Sequence, residues 1–317
     1  MIYRTLGRTN LKISAMGMGT GGHDPLGQKS GRPVSEMKQL LRRAHDLGIN
    51  YFDTSPGYAD SETILGAVLR ELPRDDYVVS TKIPLAGGHT DDVDVMTPRE
   101  VGEAVEKSLV RLGLDFVDIM LVAVAGPEYF EPVVNDHLPI LERCRREGKI
   151  RFIGSSEQTR SDGSHRWLQK ILPTGSMDVA MVGHNMINQS AQRSIFPLCI
   201  REKIGVLNIF TVRNLFWNPD RLREVIVDLA NRGKIGRHAL PEGPPLDWLL
   251  TDDVDTLVDA AYRYALHTDG VTAVMCGTLN QSELQENVRS FEKGPLPEDL
   301  TLRLDDIFCG ISEAIGN

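Results

Sequence analysis

Short apolar runs of strand length alternate along this chain with longer segments whose apolar residues recur at helical spacing. The runs fall at about 14–19, 49–54, 76–82, 116–123, 150–154, 178–184, 205–210 and 271–276. Between them, 34–47 carries Met37, Leu40, Leu41 and Ala44 on one helical face, and a segment from Ser61 carries Ile64, Leu65, Val68 and Leu69. Thr97-Pro98-Arg99-Glu100 sets Thr at the N-cap, Pro at N1 and Glu at N3, which opens a helix expected to reach Gly113. Further helices are expected at about 132–147, 190–202, 253–267, 281–291 and 298–314. A doubly wound sheet gives the same alternation, but a count of eight strands favours closure. The expected fold is α/β: a single (β/α)8 TIM barrel over 1–317, with an N-terminal β-hairpin at 2–13 and a long insertion after strand seven. A barrel of this kind needs roughly 250 residues, which 317 residues accommodate.

Composition narrows the partners. The net charge is −9, so an anionic polymer or membrane surface is not an expected partner, and an anionic ligand must be held by local positive charge or backbone amides. Cys144, Cys199, Cys276 and Cys309 are widely spaced with no C-x-x-C pair, which argues against a disulfide framework or zinc site. Met1-Ile2-Tyr3-Arg4 is not followed by a long apolar run, and no window holds ~18 uninterrupted apolar residues. A cytoplasmic protein is the expectation, with no nucleic-acid or membrane partner, no metal, and an open oligomeric state.

The chemistry-bearing residues gather where strands are expected to end. Asn50-Tyr51-Phe52-Asp53 closes a strand on a carboxylate, and a Pro56-Gly57 turn presents Tyr58 five residues later. The next strand, Tyr77-Val78-Val79-Ser80-Thr81-Lys82, ends on a lysine. In a parallel barrel such strand ends share one face, so Asp53, Tyr58 and Lys82 read as one proton-handling cluster. An ordinary phenol titrates near ~10, and an ammonium ion beside it favours the phenolate, so Lys82 should ease proton release from Tyr58. Gly17-Met18-Gly19-Thr20-Gly21-Gly22 lets a ligand approach the backbone, but it contains neither G-x-G-x-x-G nor a P-loop lysine.

Asp53, Gly57-Tyr58, Lys82, Val117-Asp118, Gly148-Lys149-Ile150-Arg151, and Gly277-Thr278 with the later Glu286-Asn287, taken in that order, resemble the aldo-keto reductases over nearly the whole chain. The resemblance implies a hairpin-closed barrel that binds a nicotinamide cofactor, NADP(H) with NAD(H) possible, at its C-terminal face. It implies metal-free carbonyl reduction, with Tyr58 as proton donor and Asp53 holding Lys82 charged. It also assigns Thr20, Gly21, Ser156, Glu157, Met181, Phe210, Gly277, Thr278, Glu283 and Asn287 to the cofactor.

Several of these positions depart from the family pattern. Ala123 stands where the family usually has a histidine. Glu157 follows Ser156 in place of an asparagine, Met181 replaces a glutamine, and Phe210 is the candidate to stack in place of a tyrosine. Glu283 replaces an arginine that contacts the 2′-phosphate. His184, at the expected end of strand six, is the candidate to take over from the missing histidine.

Plainer readings stand beside these: a structural Asp53–Lys82 ion pair, an ordinary loop tyrosine, a satisfied His184, a solvated His89 and an exposed Glu157. Trp217 either walls a substrate pocket or packs under the insertion; Arg213 and Arg237 are candidate phosphate contacts. The leading function is an NAD(P)H-dependent oxidoreductase acting on a small-molecule carbonyl or alcohol. The alternatives are a cofactor-binding pseudo-reductase or sensor, and a non-redox lyase or isomerase using Tyr58 and Lys82.

Overall fold

In the computed structural model, which describes residues 1–86, 95–124, 126–157, 162–236 and 243–315, eight parallel strands close into a barrel. In chain order they are β3 (Met16–Gly19), β4 (Tyr51–Asp53), β5 (Val78–Ala86), β6 (Val117–Val124), β7 (Ile150–Glu157), β8 (Val179–Gly183), β9 (Gly205–Ile209) and β10 (Ala273–Cys276). β10 pairs with both β9 and β3, which completes the ring. Ahead of them β1 (Tyr3–Thr5) and β2 (Lys12–Ser14) form the expected antiparallel hairpin.

Side chains alternate between the two faces of each strand, and that alternation divides the core in two. Inward positions fill the barrel with Tyr51, Val78, Ile119, Leu121, Val179, Met181, Leu207 and Ala273. Leu6, Leu11 and Ile13 from the hairpin join them and plug the bottom. Outward positions such as Phe52, Val79, Met120, Val122, Ile153 and Val182 pack under the helices.

The helices are α1 (Val34–Asp46), α2 (Ser61–Leu69), α3 (Pro98–Leu112), the single turn α4 (Phe130–Pro132), α5 (Leu138–Arg146), α6 (Arg166–Ile171), α7 (Ala191–Ser194), α8 (Phe196–Glu202), α9 (Pro219–Asn231), α10 (Leu257–Leu266), α11 (Gln281–Glu292) and α12 (Glu298–Phe308). The capping box forms as expected: Glu100 N donates to the Thr97 side chain, the Glu100 carboxylate accepts from Thr97 N, and Gly113 ends α3 in the left-handed region at φ 65°.

Other boundaries differ from expectation. The segment expected as one helix at 190–202 breaks at Ile195, because Pro197 enters the first turn of α8. The segment expected at 132–147 begins regular helix only at Leu138, after a π-helical turn over Val133–His137. α6 lies between β7 and β8, where no helix was expected, and the insertion after β9 carries a 13-residue helix, α9. His89 and Arg237 lie outside the described residues.

Two of the motif residues meet at the bottom of the barrel, away from the strand ends that carry the chemistry. Asp118 is fully buried at the start of β6 and accepts from Arg74 Nη2 at 2.7 Å, Arg151 Nη1 at 2.9 Å and Val79 N at 2.9 Å. Asp118 is the buried charge here, while the Arg74 and Arg151 side chains are 26% and 48% exposed. Losing the arginines would leave a buried carboxylate short of partners, so the cluster serves stability.

The helical layer is tight where α2 crosses the end of α3. A Cβ on Gly66 would press on the Leu112 carbonyl oxygen and lie 2.6 Å from Leu112 Cα. Alanine gains about 1 kcal/mol over glycine in a helix, but an overpacked backbone contact costs about 1–3 kcal/mol. Gly66→Ala is therefore expected to destabilise the protein, read as a lower urea midpoint; an unchanged or higher midpoint would show that α2 shifts freely.

Candidate active site

The inward parity of β4 and β5 brings the proposed catalytic groups together. Asp53 is level with Ser80, and Lys82 lies two residues further along the same face. Lys82 Nζ donates to Asp53 Oδ2 at 2.5 Å and to the Thr54 carbonyl at 2.9 Å, with only 8% of each charged side chain exposed. The ammonium lies 5.0 Å from the centroid of the Tyr58 ring. Burial alone would lower the Lys82 pKa, but Asp53 and then Tyr58 outweigh it and hold it above the ordinary lysine value. Lys82 is thus a protonated ammonium at neutral pH, buried beside a half-buried phenol.

Tyr58 is positioned by the loop that follows β4. Its amide donates to Ser55 O at 3.1 Å, and its carbonyl accepts from Ser61 N at 3.1 Å and Gln28 Nε2 at 3.2 Å. Gly21 accounts for the closeness of the glycine-rich loop. A Cβ there would sit 2.5 Å from Tyr58 Cε2 and Cζ, so the missing side chain makes room for the phenol ring. Thr20 is fully buried; its amide and hydroxyl both donate to the Asp53 carbonyl, at 2.9 and 3.1 Å. Thr20 is a strut beneath Asp53, and its hydroxyl is committed there.

Ala123 lies on the inward face of β6, in line with Ile119 and Leu121, and is level with Pro84 and Ser156. His184 does not fill the gap. Met181 and Gly183 take the inward positions of β8, so Val182 and His184 point outward. The His184 ring packs at 5.3 Å from Phe196 and 5.6 Å from Tyr264, and Nε2 meets Thr268 Oγ1 at 3.1 Å. Burial lowers its pKa to about 3, so it is neutral at physiological pH and belongs to the helix-facing core.

Glu157 also has outward parity, and it is buried rather than solvated. Its carboxylate accepts from Gly183 N at 2.5 Å and meets His165 Nδ1 at 2.6 Å, while His165 Nε2 meets Ser190 Oγ at 2.8 Å. Burial raises the Glu157 pKa, against the opposing pull of His165 and the Gly183 amide. Neither His165 nor Ser190 was legible as a partner, since both come from loops that only the fold brings to the end of β7. Ser190 Oγ donates to Asn188 Oδ1 at 2.7 Å, so His165 donates to Ser190 and the chain is not arranged to activate a serine.

The remaining candidates spread along the barrel mouth. Ser156 is inward and 5% exposed, and Met181 is inward and 1% exposed. Phe210 follows β9 at φ 64°, with the Arg213 guanidinium 3.4 Å over its ring. Gly277 is exposed; Thr278 Oγ1 donates to Glu283 Oε2 at 2.5 Å in the exposed first turn of α11. Asn287 is buried and donates to Cys276 Sγ at 3.2 Å, which secures α11 to the end of β10. Trp217 stands 62% exposed, so it does not pack under the insertion.

The fit of a nicotinamide dinucleotide to this mouth divides by region. An aromatic face with a cation on it, an open glycine and a helix N-terminus suit a ring and phosphates. The thioether of Met181 offers no amide group to a carboxamide, and the Glu283 carboxylate is unfavourable to added negative charge. No helix among the described residues is long and apolar enough to cross a membrane, and no metal-binding cluster is present among them.

Comparison with known proteins gives a consistent class. The model of the aldo/keto reductase family matches residues 15–308, and the chain belongs to that family. It is 30% identical to L-galactose dehydrogenase of Arabidopsis thaliana, over 90% of this chain and 86% of that protein. It is 30% identical to the NADH-specific methylglyoxal reductase of Escherichia coli, over 94% of this chain and 95% of that one. The solved holo form of aldo-keto reductase AKR11C1 from Bacillus halodurans shares the fold, with a TM-score of 0.73 at 22% identity over 99% of this chain and 98% of its own. Other matching relatives are described as voltage-gated potassium channel beta subunits.

The outward placement of His184 carries a pH signature. A histidine depressed to about 3 when folded contributes stability that is complete above the ordinary value of about 6.5 and is lost as pH falls through that value toward 3. Relative to His184→Phe, the wild type should lose about 2 kcal/mol between pH 8 and pH 5 in urea unfolding. A difference that stays flat with pH would mean that the imidazole is solvated.

Proposed function

We propose that the protein is a nicotinamide-dependent oxidoreductase that reduces an aldehyde or ketone of a small molecule, or runs the reverse reaction on an alcohol. The observation that carries this reading is the buried Lys82 ammonium, held by Asp53 and lying beside the Tyr58 ring. A structural ion pair has no need of a half-buried phenol over its cation, whereas proton transfer to a carbonyl oxygen needs an acid at the mouth with a fixed positive charge behind it.

The dinucleotide supplies the hydride when bound. Phe210, Arg213, the Gly277 backbone and the start of α11 would hold it, with Ser156 the polar group on the carboxamide side. Tyr58 donates the proton to the developing alkoxide, and Lys82 stabilises the phenolate left behind. Asp53 keeps the ammonium oriented and offsets its burial. In the reverse direction the phenolate accepts the alcohol proton. Ala123 supplies neither a hydrogen bond nor a charge, so the substrate oxygen depends on Tyr58 alone, and slow turnover is expected. Because Glu283 carries a carboxylate where added negative charge would arrive, the cofactor is NADP(H) or NAD(H), with NADH bound at least as tightly as NADPH.

A specific observation favours a second reading. Ala123 and Met181 bring no amide or charged group to the mouth, and on this alternative the protein would bind the cofactor as a sensor with negligible turnover.

The test joins binding to chemistry. Tryptophan fluorescence and calorimetry should detect binding of NADH, and of NADPH no more tightly. Tyr58→Phe should bind the dinucleotide normally yet lose at least ~100-fold in kcat on a carbonyl found by screening. Binding without turnover of any carbonyl would select the sensor, and absence of binding would end the redox reading in favour of lyase or isomerase chemistry. Full activity in Tyr58→Phe would remove Tyr58 as the acid.

A further inference from the structure

Behind Asp53 and Lys82 the hydrogen-bonded row continues downward into the barrel. Tyr51 and Asp53 share the inward face of β4, and Ser80 and Lys82 share that of β5, with Asp53 level with Ser80. The four side chains therefore interleave diagonally across two strands. The Tyr51 hydroxyl lies 2.7 Å from Ser80 Oγ, and Ser80 Oγ donates to Asp53 Oδ1 at 2.7 Å. Asp53 Oδ2 takes the Lys82 ammonium. Tyr51 and Ser80 are both fully buried.

Counting protons fixes the direction of the row. A carboxylate only accepts, so the single Ser80 hydroxyl proton goes to Asp53. Ser80 Oγ must then accept from Tyr51. Every hydrogen bond in the row runs toward Asp53, and the carboxylate has one oxygen for the hydroxyl chain and one for Lys82.

The row also has a closed lower end. The Tyr51 ring packs among Leu6, Leu11 and Ile13 of the barrel bottom, and a Cβ on Gly17 would lie 2.6 Å from its Cδ1. Burial, then the nearby Asp53, pushes the Tyr51 phenol well above its ordinary pKa. Tyr51 therefore holds its proton and has no solvent below it to exchange with. The row orients charge and does not carry protons out through the floor.

We infer that Ser80 and Tyr51 are positioning residues for the Tyr58 acid, acting in series through Asp53 and Lys82. The inference rests on the oxidoreductase reading for its kinetic consequences, but the arrangement itself can be tested without turnover. Without the Ser80 hydroxyl, Asp53 is free to rotate about its Cα–Cβ bond and its contact with Lys82 loosens. The titratable groups facing Lys82 are Asp53 from β4 and Tyr58 from the following loop, with Tyr51 three hydrogen bonds away. A lysine held above its ordinary value keeps its charge until pH rises through that higher value, so a loosened pair loses the charge at lower pH.

The first measurement is competitive acetylation of the full-length protein with acetic anhydride across pH 8–12, with Lys82 followed by peptide mass spectrometry. In Ser80→Ala the midpoint of Lys82 reactivity should fall by about one pH unit or more relative to wild type; Ser80→Thr, which keeps the hydroxyl, should restore it. On a carbonyl substrate, Ser80→Ala should lower kcat about tenfold with KM little changed and move the alkaline limb of the pH profile down. Tyr51→Phe should lower kcat a few-fold, and Ser80→Ala with Tyr51→Phe should match Ser80→Ala alone, because Tyr51 acts only through Ser80.

An unchanged Lys82 midpoint in Ser80→Ala, or additive effects in the double variant, would overturn the inference. If no carbonyl is reduced by the wild type, the oxidoreductase reading fails while the acetylation result still decides the positioning role. Should Ser80→Ala fail to fold, Tyr51→Phe, which preserves the ring, must show a smaller fall in the Lys82 midpoint in the same direction, and no fall there overturns the inference.

Discussion

A buried ammonium ion is costly unless a carboxylate meets it. Desolvating either ion of such a pair costs several kcal/mol, and only close, well-made contacts offset it. The Lys82–Asp53 pair meets that requirement at the mouth of the barrel, and much of the surrounding structure serves it. Thr20 ties the end of β3 to the Asp53 carbonyl, the Thr54 carbonyl takes a second Lys82 proton, and Ser80 completes the carboxylate. The glycine-rich loop gives up a side chain at Gly21 so that Tyr58 can lie close to the pair. Tyr58 is half-buried where Asp53, Lys82, Ser80 and Thr20 are buried, so its ring is the part of this assembly open to a ligand.

The strand alternation that brings these groups together also fixes what else is within reach. Odd positions of β4 and even positions of β5 face inward, so Tyr51, Asp53, Ser80 and Lys82 converge while Thr81 turns out to meet the buried Glu62 carboxylate at 2.6 Å. The same rule sends His184 and Glu157 away from the mouth. The mouth that remains has Ala123, Ser156 and Met181 on its inward strand positions, less polar than the chemistry of Tyr58 alone would suggest. A phenol beside a well-held ammonium, with few polar companions, is the central feature of this site.

Much of this was legible in the sequence because it depends on local rules. Eight strands, the hairpin and the Thr97 capping box follow from periodicity and cap chemistry, and Asp53, Tyr58 and Lys82 follow from strand ends in adjacent βα units. His184 was misread because its strand end was considered without its parity; counting by twos from Met181 turns it outward. Ser80 was legible by the same count from Lys82, but a lone serine in an apolar strand attracts no notice until the carboxylate beside it is known. Glu157 was out of reach of such rules. Its partners His165 and Ser190 lie 8 and 25 residues from their contacts, on loops whose meeting depends on tertiary packing. α6 is only six residues long, too short for a periodic signal, and Pro197 marks a break in 190–202 that the apolar pattern alone conceals.

The central claim is that carbon receives hydride from a dinucleotide while oxygen receives its proton through Tyr58. The most direct measurement is turnover of a small aldehyde or ketone with NADH deuterated at the nicotinamide C4, read by mass spectrometry and NMR of the product. One deuterium on the former carbonyl carbon, with no solvent hydrogen entering that C–H bond, is the predicted result. Solvent hydrogen on carbon, or a converted substrate with the dinucleotide unconsumed, would contradict it and point to acid–base chemistry by Tyr58 and Lys82 without redox.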